Sequence, residues 1–303
     1  MSRPGDIGPY RCTKTRAVGS SGTIIRTLSD LDHSRGFWDR EIESPSHTSW
    51  LEQPAFRLYT LREIDPVDAE WPVDWFNIWL GGRRFHRGLS IGCGSGPFER
   101  DLIQHDLCDR IEAFDASFLS IRAAMSAAGN RLHYFVADFN RCAFRERSYD
   151  AVFFHQSLHH VEHLEELLAG VRRWLRPDGL VYLDEYIGPS RGAWSDALIA
   201  PHRAVFDRLP PEVKATPELP LPIQEDDPSE AVRSDAIMGA LQAEFEIAAF
   251  RAYGGNLLSV IFPNLKREAL DEELADALVE EDRAMVAADG RPYYAIMVAR
   301  PRA

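Results

Sequence analysis

The sequence predicts an α/β fold, a doubly wound and mostly parallel sheet with additions at both ends. Three observations carry that expectation. From Gly88 onward short apolar runs alternate with helical segments, the pattern of a parallel sheet covered on both faces. A glycine-rich loop, Leu89-Ser90-Ile91-Gly92-Cys93-Gly94-Ser95-Gly96, falls where the first strand gives way to the first helix of that pattern. Acidic residues then stand at the ends of successive strands, where a doubly wound sheet opens its binding crevice. With 303 residues the chain can bury a large core without disulfide or metal staples.

Taken in order, residues 1–45 are polar and aperiodic and are expected to form a flexible arm. Residues 46–87 are rich in aromatics, and five of the seven tryptophans fall between positions 38 and 79. Trp71, Trp75, Phe76, Trp79 and Leu80 recur at helical spacing around Pro72, which predicts a helix with an aromatic face. Such a face is first read as core packing and second as a wall of a substrate pocket. The central unit, 88–188, carries strands at Gly88–Ile91, Ile111–Phe114, Leu132–Val136, Ala151–Phe154 and Gly179–Leu183, with helices near 97–107, 118–128 and 161–175. Pro177-Asp178-Gly179 is expected to stop the last helix and turn the chain into its strand.

Residues 189–243 break the rhythm and read as a cap insertion. A helical stretch at Ala193–Leu209 precedes six prolines in the 19 residues 210–228, which neither a helix nor a central strand tolerates. Ser229 is expected to cap a helix running to about Ala243. The C-terminal part, 244–303, returns to the sheet with strands at Phe245–Tyr253 and Tyr293–Val298, and an acidic helical segment over Leu265–Ala288 lies between them.

A formal charge of −13 with no basic patch argues against nucleic acid and against anionic membrane surfaces. The longest uncharged stretch, the 14 residues Ala252–Leu265, is too short to span a bilayer. Met1–Arg16 has no apolar run behind its basic residues and fails as a secretory signal, so a cytoplasmic protein is expected. Cys12, Cys93, Cys108 and Cys142 are scattered without metal-binding spacing and read as reduced thiols.

Glycines at the end of a first strand allow a tight turn and a close approach of backbone to ligand, and the following helix offers free N–H groups. A dinucleotide fingerprint would place its third glycine at position 97, where the chain has Pro97, which weakens a nicotinamide reading. Asp115, 23 residues after Gly92, is placed to accept both ribose hydroxyls, and Asp138 with Phe139 to receive and cover an adenine ring.

The glycine loop, Asp115, Asp138, Ser148-Tyr149-Asp150-Ala151-Val152, Ser157-Leu158-His159-His160-Val161 and Leu175-Arg176-Pro177-Asp178-Gly179 together resemble class I S-adenosylmethionine-dependent methyltransferases of the small-molecule type. The resemblance covers about residues 86–188, and the later strands fit the reversed hairpin that closes that family's seven-stranded Rossmann-like sheet. Ser90 departs from the pattern, since the family usually has an acidic residue two positions before the first glycine. The resemblance implies S-adenosyl-L-methionine as cofactor. Gly92, Cys93, Gly94 and Gly96 would line its methionine and ribose, Asp115 would hold its ribose hydroxyls, Asp138 and Phe139 its adenine, His155 and Gln156 the region of the sulfonium, and Ala116 is counted among the cofactor-binding residues.

An oxygen acceptor must shed a proton, and neutral imidazole or a carboxylate suits that task. His159 and His160 after the fourth strand and Glu185 after the fifth are the catalytic candidates. His163 has no carboxylate cluster beside it, so no metal is expected. The aromatics of 38–79, the loop 210–228 and Tyr253-Gly254-Gly255 suggest a capped pocket for a small-molecule acceptor such as a sugar-bearing or polyketide-like metabolite. Two alternatives remain at this level: an enzyme of the same fold using the cofactor for other chemistry, and a non-catalytic relative that binds a partner. The oligomeric state is open, a homodimer being one option.

Overall fold

The alternation that begins near Gly88 folds as a seven-stranded sheet. Its strands are β1 Phe85–Ile91, β2 Cys108–Asp115, β3 Leu132–Val136, β4 Tyr149–His155, β5 Leu175–Tyr186, β6 Phe245–Gly254 and β7 Tyr294–Pro301. They lie in the order β3-β2-β1-β4-β5-β7-β6. β1 to β5 pair in parallel, and β7 runs antiparallel to both β5 and β6. The computed structural model describes residues 34–44, 49–64 and 72–302. Its helices are α1 (residues 34–43), α2 Pro54–Ile64, α3 Pro72–Leu80, α4 Pro97–Gln104, α5 Phe118–Ser126, α6 Leu164–Trp174, α7 Asp196–Arg208, α8 Ile237–Glu244, α9 Leu258–Ile261 and α10 Glu272–Asp289.

The central strands carry apolar runs, such as Ala151–Phe154, whose successive residues enter different cores. Phe85, Ala151, Phe153, Leu180 and Tyr182 face one layer, with α2 to α5 and α10. Leu89, Ile91, Val152, Phe154, Val181 and Leu183 face the other, with α6 and α8. Fully burying one such side chain contributes about 1.5–3 kcal/mol. The aromatic face of α3 belongs to the first layer. Phe76 is wholly buried, with its ring 4.6 Å from that of Tyr182, and Trp75 is buried beside it. The pocket-wall reading of this helix is therefore set aside in favour of core packing. Trp71 lies outside the described residues.

Several expected boundaries move for local reasons. Residues 34–43 of the expected flexible arm are helical, with Ser34 and Phe37 buried; residues 1–33 lie outside the description. Helix α6 ends at Trp174, before the Pro-Asp-Gly turn, because Leu175 is already extended at ψ 146°. The extra residues are absorbed as an irregularity of the β4–β5 ladder, where Tyr149 pairs with Leu175 and Ala151 with Leu180. Ser229 caps no helix. Its backbone N–H and hydroxyl both donate to Asp227 Oδ1, at 3.0 and 2.7 Å, which commits it to a turn. Helix α8 starts only at Ile237 and packs beneath the sheet.

The acidic segment near the C-terminus begins its α-helix at Glu272, not Leu265, since two short 3₁₀ turns around Pro263 break the backbone before it. Asp271 accepts from Leu274 N at its start, and Gly290, left-handed at φ 63°, ends it. One acid of this helix faces inward. Asp282 accepts from the N–H groups of Leu257 (2.7 Å), Leu258 (3.1 Å) and Gly255 (3.0 Å) and from the Tyr59 hydroxyl (2.9 Å). A carboxylate with four donors is satisfied in the interior, and it ties α10 to α2 and to the chain leaving β6.

Candidate active site

Strand β1 ends in a loop whose glycines are required at particular places. Gly92 has φ 72°, and a Cβ there would lie 2.5 Å from that of Ser157. Gly96 has φ 78° and opens α4 just before Pro97, and a Cβ there would lie 2.3 Å from the Tyr134 hydroxyl oxygen. That hydroxyl donates to Gly96 O at 3.2 Å, so Gly96 shapes the loop from below. Gly94 differs, because a Cβ there would meet no atom of the described residues within 4 Å. Its N–H donates to Asp115 Oδ2 (2.9 Å), while Ser117 N–H donates to Oδ1 (2.8 Å).

Above this loop is a cavity of about 410 Å³. Of the residues expected from sequence, Gly92, Cys93, Gly94, Asp115, Ala116, Phe139, His155, Gln156 and His160 lie on its wall. Gly96, His159 and Glu185 do not. Asp138 lines an adjoining recess of about 110 Å³ that shares Phe139 and His160 with the main cavity. Burial raises the carboxyl of Asp115, opposed by the N–H groups of Ser117 and Gly94. A wider groove of about 810 Å³ between α2 and α10 contains none of these residues.

The chain leaving β4 is held under strain. Gln156 is left-handed at φ 51°, a conformation costly for a non-glycine residue and concentrated at functional sites. Its amide donates to Asp184 Oδ1 and to the Tyr253 hydroxyl, both at 3.1 Å. His155 stacks on Phe98 at 4.6 Å, with Nδ1 3.3 Å from Asp184 Oδ2. Burial disfavours its charge, but Asp184 and Glu99 outweigh that and raise its pKa.

Glu185 is wholly buried behind this turn, and its carboxylate accepts from Ser157 N (2.7 Å), Leu158 N (2.5 Å) and His159 Nδ1 (2.8 Å). It holds the turn in place and does not reach the cavity. His159 also stands behind the wall. Burial opposes its charge, yet Glu230, Glu185 and Asp227 push its pKa up to about 9. Burial and the neighbouring His159 lower His160, the one of the three catalytic candidates that faces the cavity.

The position of Ser90 is also explained. Its hydroxyl donates to Glu99 Oε1 at 2.5 Å, so the acid absent from β1 is present in the first turn of α4. Glu99 is 1% exposed, its Oε2 has no hydrogen-bond partner among the described residues, and burial raises its pKa to about 7.

Sequence reasoning missed the roof. Ser34, Arg35, Trp38, Glu41 and Ile42 of α1 line the cavity, as does Ser229. Asp39 accepts from Ser117 Oγ (2.6 Å) and Leu119 N (3.0 Å), which fixes α1 to the start of α5. The Trp38 indole N–H donates to Asp227 Oδ2 (3.0 Å), and its ring meets His160 edge-on at 5.6 Å. Trp38 itself was the only hint of this in an otherwise aperiodic stretch.

Residues 89–183 match the methyltransferase domain family, over the strands that build this cavity. That segment of the chain is a methyltransferase domain. It is similar to a sterol 24-C-methyltransferase of Gibberella zeae, 26% identical over 103 residues, which are 33% of this chain and 27% of that protein. The chain thus matches about a quarter of the length of that curated relative. Among solved structures, a geranyl diphosphate C-methyltransferase from Streptomyces coelicolor, in complex with Mg2+, geranyl diphosphate and S-adenosyl-L-homocysteine, has a TM-score of 0.52 at 14% identity. The likeness covers 90% of this chain and 98% of that one. An S-adenosylmethionine-dependent methyltransferase from Mesorhizobium loti has a TM-score of 0.46 at 18% identity, covering 78% and 99%.

The cavity fits S-adenosylmethionine. The Asp115 carboxylate accepts from backbone N–H groups of the loop and of the start of α5, among them Gly94 and Ser117, and as a two-oxygen acceptor it keeps lone pairs for ribose hydroxyls. The open face of Gly94 lets a ligand approach the loop backbone. Among the described residues no helix is long and apolar enough to cross a membrane.

Proposed function

We propose that this protein transfers a methyl group from S-adenosylmethionine to a hydroxyl oxygen of a small-molecule acceptor, such as a sugar-bearing or polyketide-like metabolite. The observation that carries the reading is one cavity walled at one end by the glycine loop and Asp115 and at the other by His155, Gln156 and His160. The cofactor, when bound, supplies a methyl group already activated on a sulfonium. The chain's own task is then alignment, which supplies about 7–11 kcal/mol of such a barrier.

In this reading Gly92 to Gly94 and Asp115 hold the nucleoside, with Phe139 over the base and Asp138 in the adjoining recess. Gln156, fixed by Asp184 and Tyr253, sets the far edge of the methyl-transfer region. His160 orients the acceptor, and the proton that an alcohol must lose departs at this histidine end. His159 and Glu185 are positioning residues that hold His160's turn. Trp38 and Ser229 close the cavity over the acceptor.

Calorimetric titration with S-adenosylhomocysteine tests the reading. Wild-type protein is expected to bind at micromolar concentration. Asp115→Ala should bind ten- to a hundredfold more weakly, the scale of lost hydrogen bonds to a charged acceptor. Unchanged affinity in the variant removes Asp115 from the ribose. With acceptor present, the product should gain one methyl group on oxygen; a methyl placed on carbon would reassign the acceptor class and keep the cofactor site.

A further inference from the structure

We propose that His159, His160 and Glu230 form a binding site for a divalent transition-metal ion of the Zn2+ or Fe2+ class. His159 Nε2 lies 3.8 Å, and His160 Nε2 3.6 Å, from the same oxygen, Glu230 Oε2. Each of the three residues offers one ligand atom within 4.8 Å of the others. Glu230 comes from the turn that follows the proline-rich stretch, so no local spacing announced it. His163, the histidine that invited a metal reading in the sequence, pairs instead with Glu166 at 3.4 Å.

The support behind the two imidazoles gives the cluster its meaning. His159 Nδ1 lies 2.8 Å from Glu185 Oε2 and donates to it. His160 Nδ1 lies 3.1 Å from Ser229 Oγ, whose own proton goes to Asp227 Oδ1, so that hydroxyl accepts from the ring. With each Nδ1 engaged by a fixed oxygen, both Nε2 atoms are turned toward Glu230, and an incoming metal ion would displace the second proton of His159 from its Nε2. Metal-ligating histidines are held in this way, the second ring nitrogen donating to a carboxylate or another fixed oxygen. Two imidazoles and a carboxylate suit zinc, iron or manganese, whereas magnesium and calcium prefer all-oxygen sets.

The surroundings favour a cation. Glu230, Glu185 and Asp227 stand around the two rings, and the last two are wholly buried. Three protein ligands leave a coordination position open, the hallmark of a catalytic as opposed to a structural site. His160 shares the cavity wall, so an acceptor oxygen can take that position and have its proton made more acidic. That use rests on the methyl-transfer reading above, whereas the metal site itself does not.

The test uses the full chain without a polyhistidine tag and Co2+ as a spectroscopic probe. One equivalent of Co2+ is expected to produce visible ligand-field absorption that added Zn2+ abolishes. Glu230→Gln, at a side chain one-third exposed, should keep the fold by circular dichroism and lose at least tenfold in Co2+ affinity. Glu185→Gln, acting through His159, should lose about 10–100-fold. No saturable binding by folded wild-type protein, or equal affinity in folded Glu230→Gln, overturns the site. S-adenosylhomocysteine titrated into the same sample separates the two readings: its binding without Co2+ binding overturns the metal site alone, and Co2+ binding without it supports the metal site while overturning methyl transfer.

Discussion

Gly92→Ala is expected to lower stability by about 2–5 kcal/mol and to bring S-adenosylhomocysteine binding below detection. Two costs combine in that figure. A non-glycine residue in the left-handed region costs about 1–2 kcal/mol, and forcing extra volume into a packed site costs about 1–3 kcal/mol. Here the added Cβ would lie 2.5 Å from Ser157 Cβ. Ser157 cannot yield cheaply, since its hydroxyl donates to Ile91 O (2.7 Å) and its N–H to Glu185 (2.7 Å). Relief by movement would displace the loop that Asp115 and the cavity depend on. Gly94→Ala is the control, with φ 52° but no atom within 4 Å of the added carbon. It should show the backbone strain alone. Equal urea midpoints for the two variants would remove the Ser157 contact as the cause.

Glu99→Gln should stabilise the protein above neutral pH. The wild-type carboxyl has a pKa of about 7 in the fold against 4.5 when free, because burial disfavours its charge. A raised carboxyl pKa makes the folded state retain its proton longer than the unfolded chain does. The associated stability is fully present below pH 4.5 and is lost as pH rises through 7, a swing on the order of 3 kcal/mol. Glutamine can still accept from the Ser90 hydroxyl and carries no charge to bury. The variant should therefore match wild type near pH 4.5, gain steadily to pH 8, and stay level beyond. Urea midpoints measured across that range check the prediction, and a difference independent of pH would refute the buried charge as its source.

The central sheet was legible because both of its faces are covered. A strand segment buried on two sides reads as a near-continuous apolar run, and runs such as Ala151 to Phe154 announce themselves. The glycine loop was legible because few other residues fit left-handed turns under close approach, and Asp115 because it ends the next strand. The roles of individual glycines were harder to read. Gly96 carries the same sign of φ as Gly94, yet Tyr134, from a strand distant in sequence, decides that it faces the protein and not the cavity.

The rest was hidden by contacts between distant segments. Trp38 meets Asp227, Asp39 meets Ser117, and Glu230 meets His159 and His160 across long stretches of chain. None of these pairs has a periodicity or a motif, since each is specified only by the folded arrangement. The acid missing at Ser90 was misleading for the same reason. A carboxylate was available, but it reached the strand from α4.

The place of helix α1 in the cavity wall has a thermodynamic consequence. Residues of the helix form one wall of the cavity and the glycine loop forms another, so any occupant bridges these two parts of the chain and adds to the contacts that already hold α1, the buried Phe37, the Trp38–His160 ring contact and the bonds of Asp39 and Trp38. Occupancy and docking of the helix are then linked equilibria, and each must strengthen the other by the same factor. At a ligand concentration a hundred times the dissociation constant the docked form gains up to about 2.7 kcal/mol over a form that cannot bind. Slowed amide exchange in residues 34–43 on addition of S-adenosylhomocysteine would report that coupling directly. The helix thereby turns cofactor supply into a local measure of order in residues 34–43.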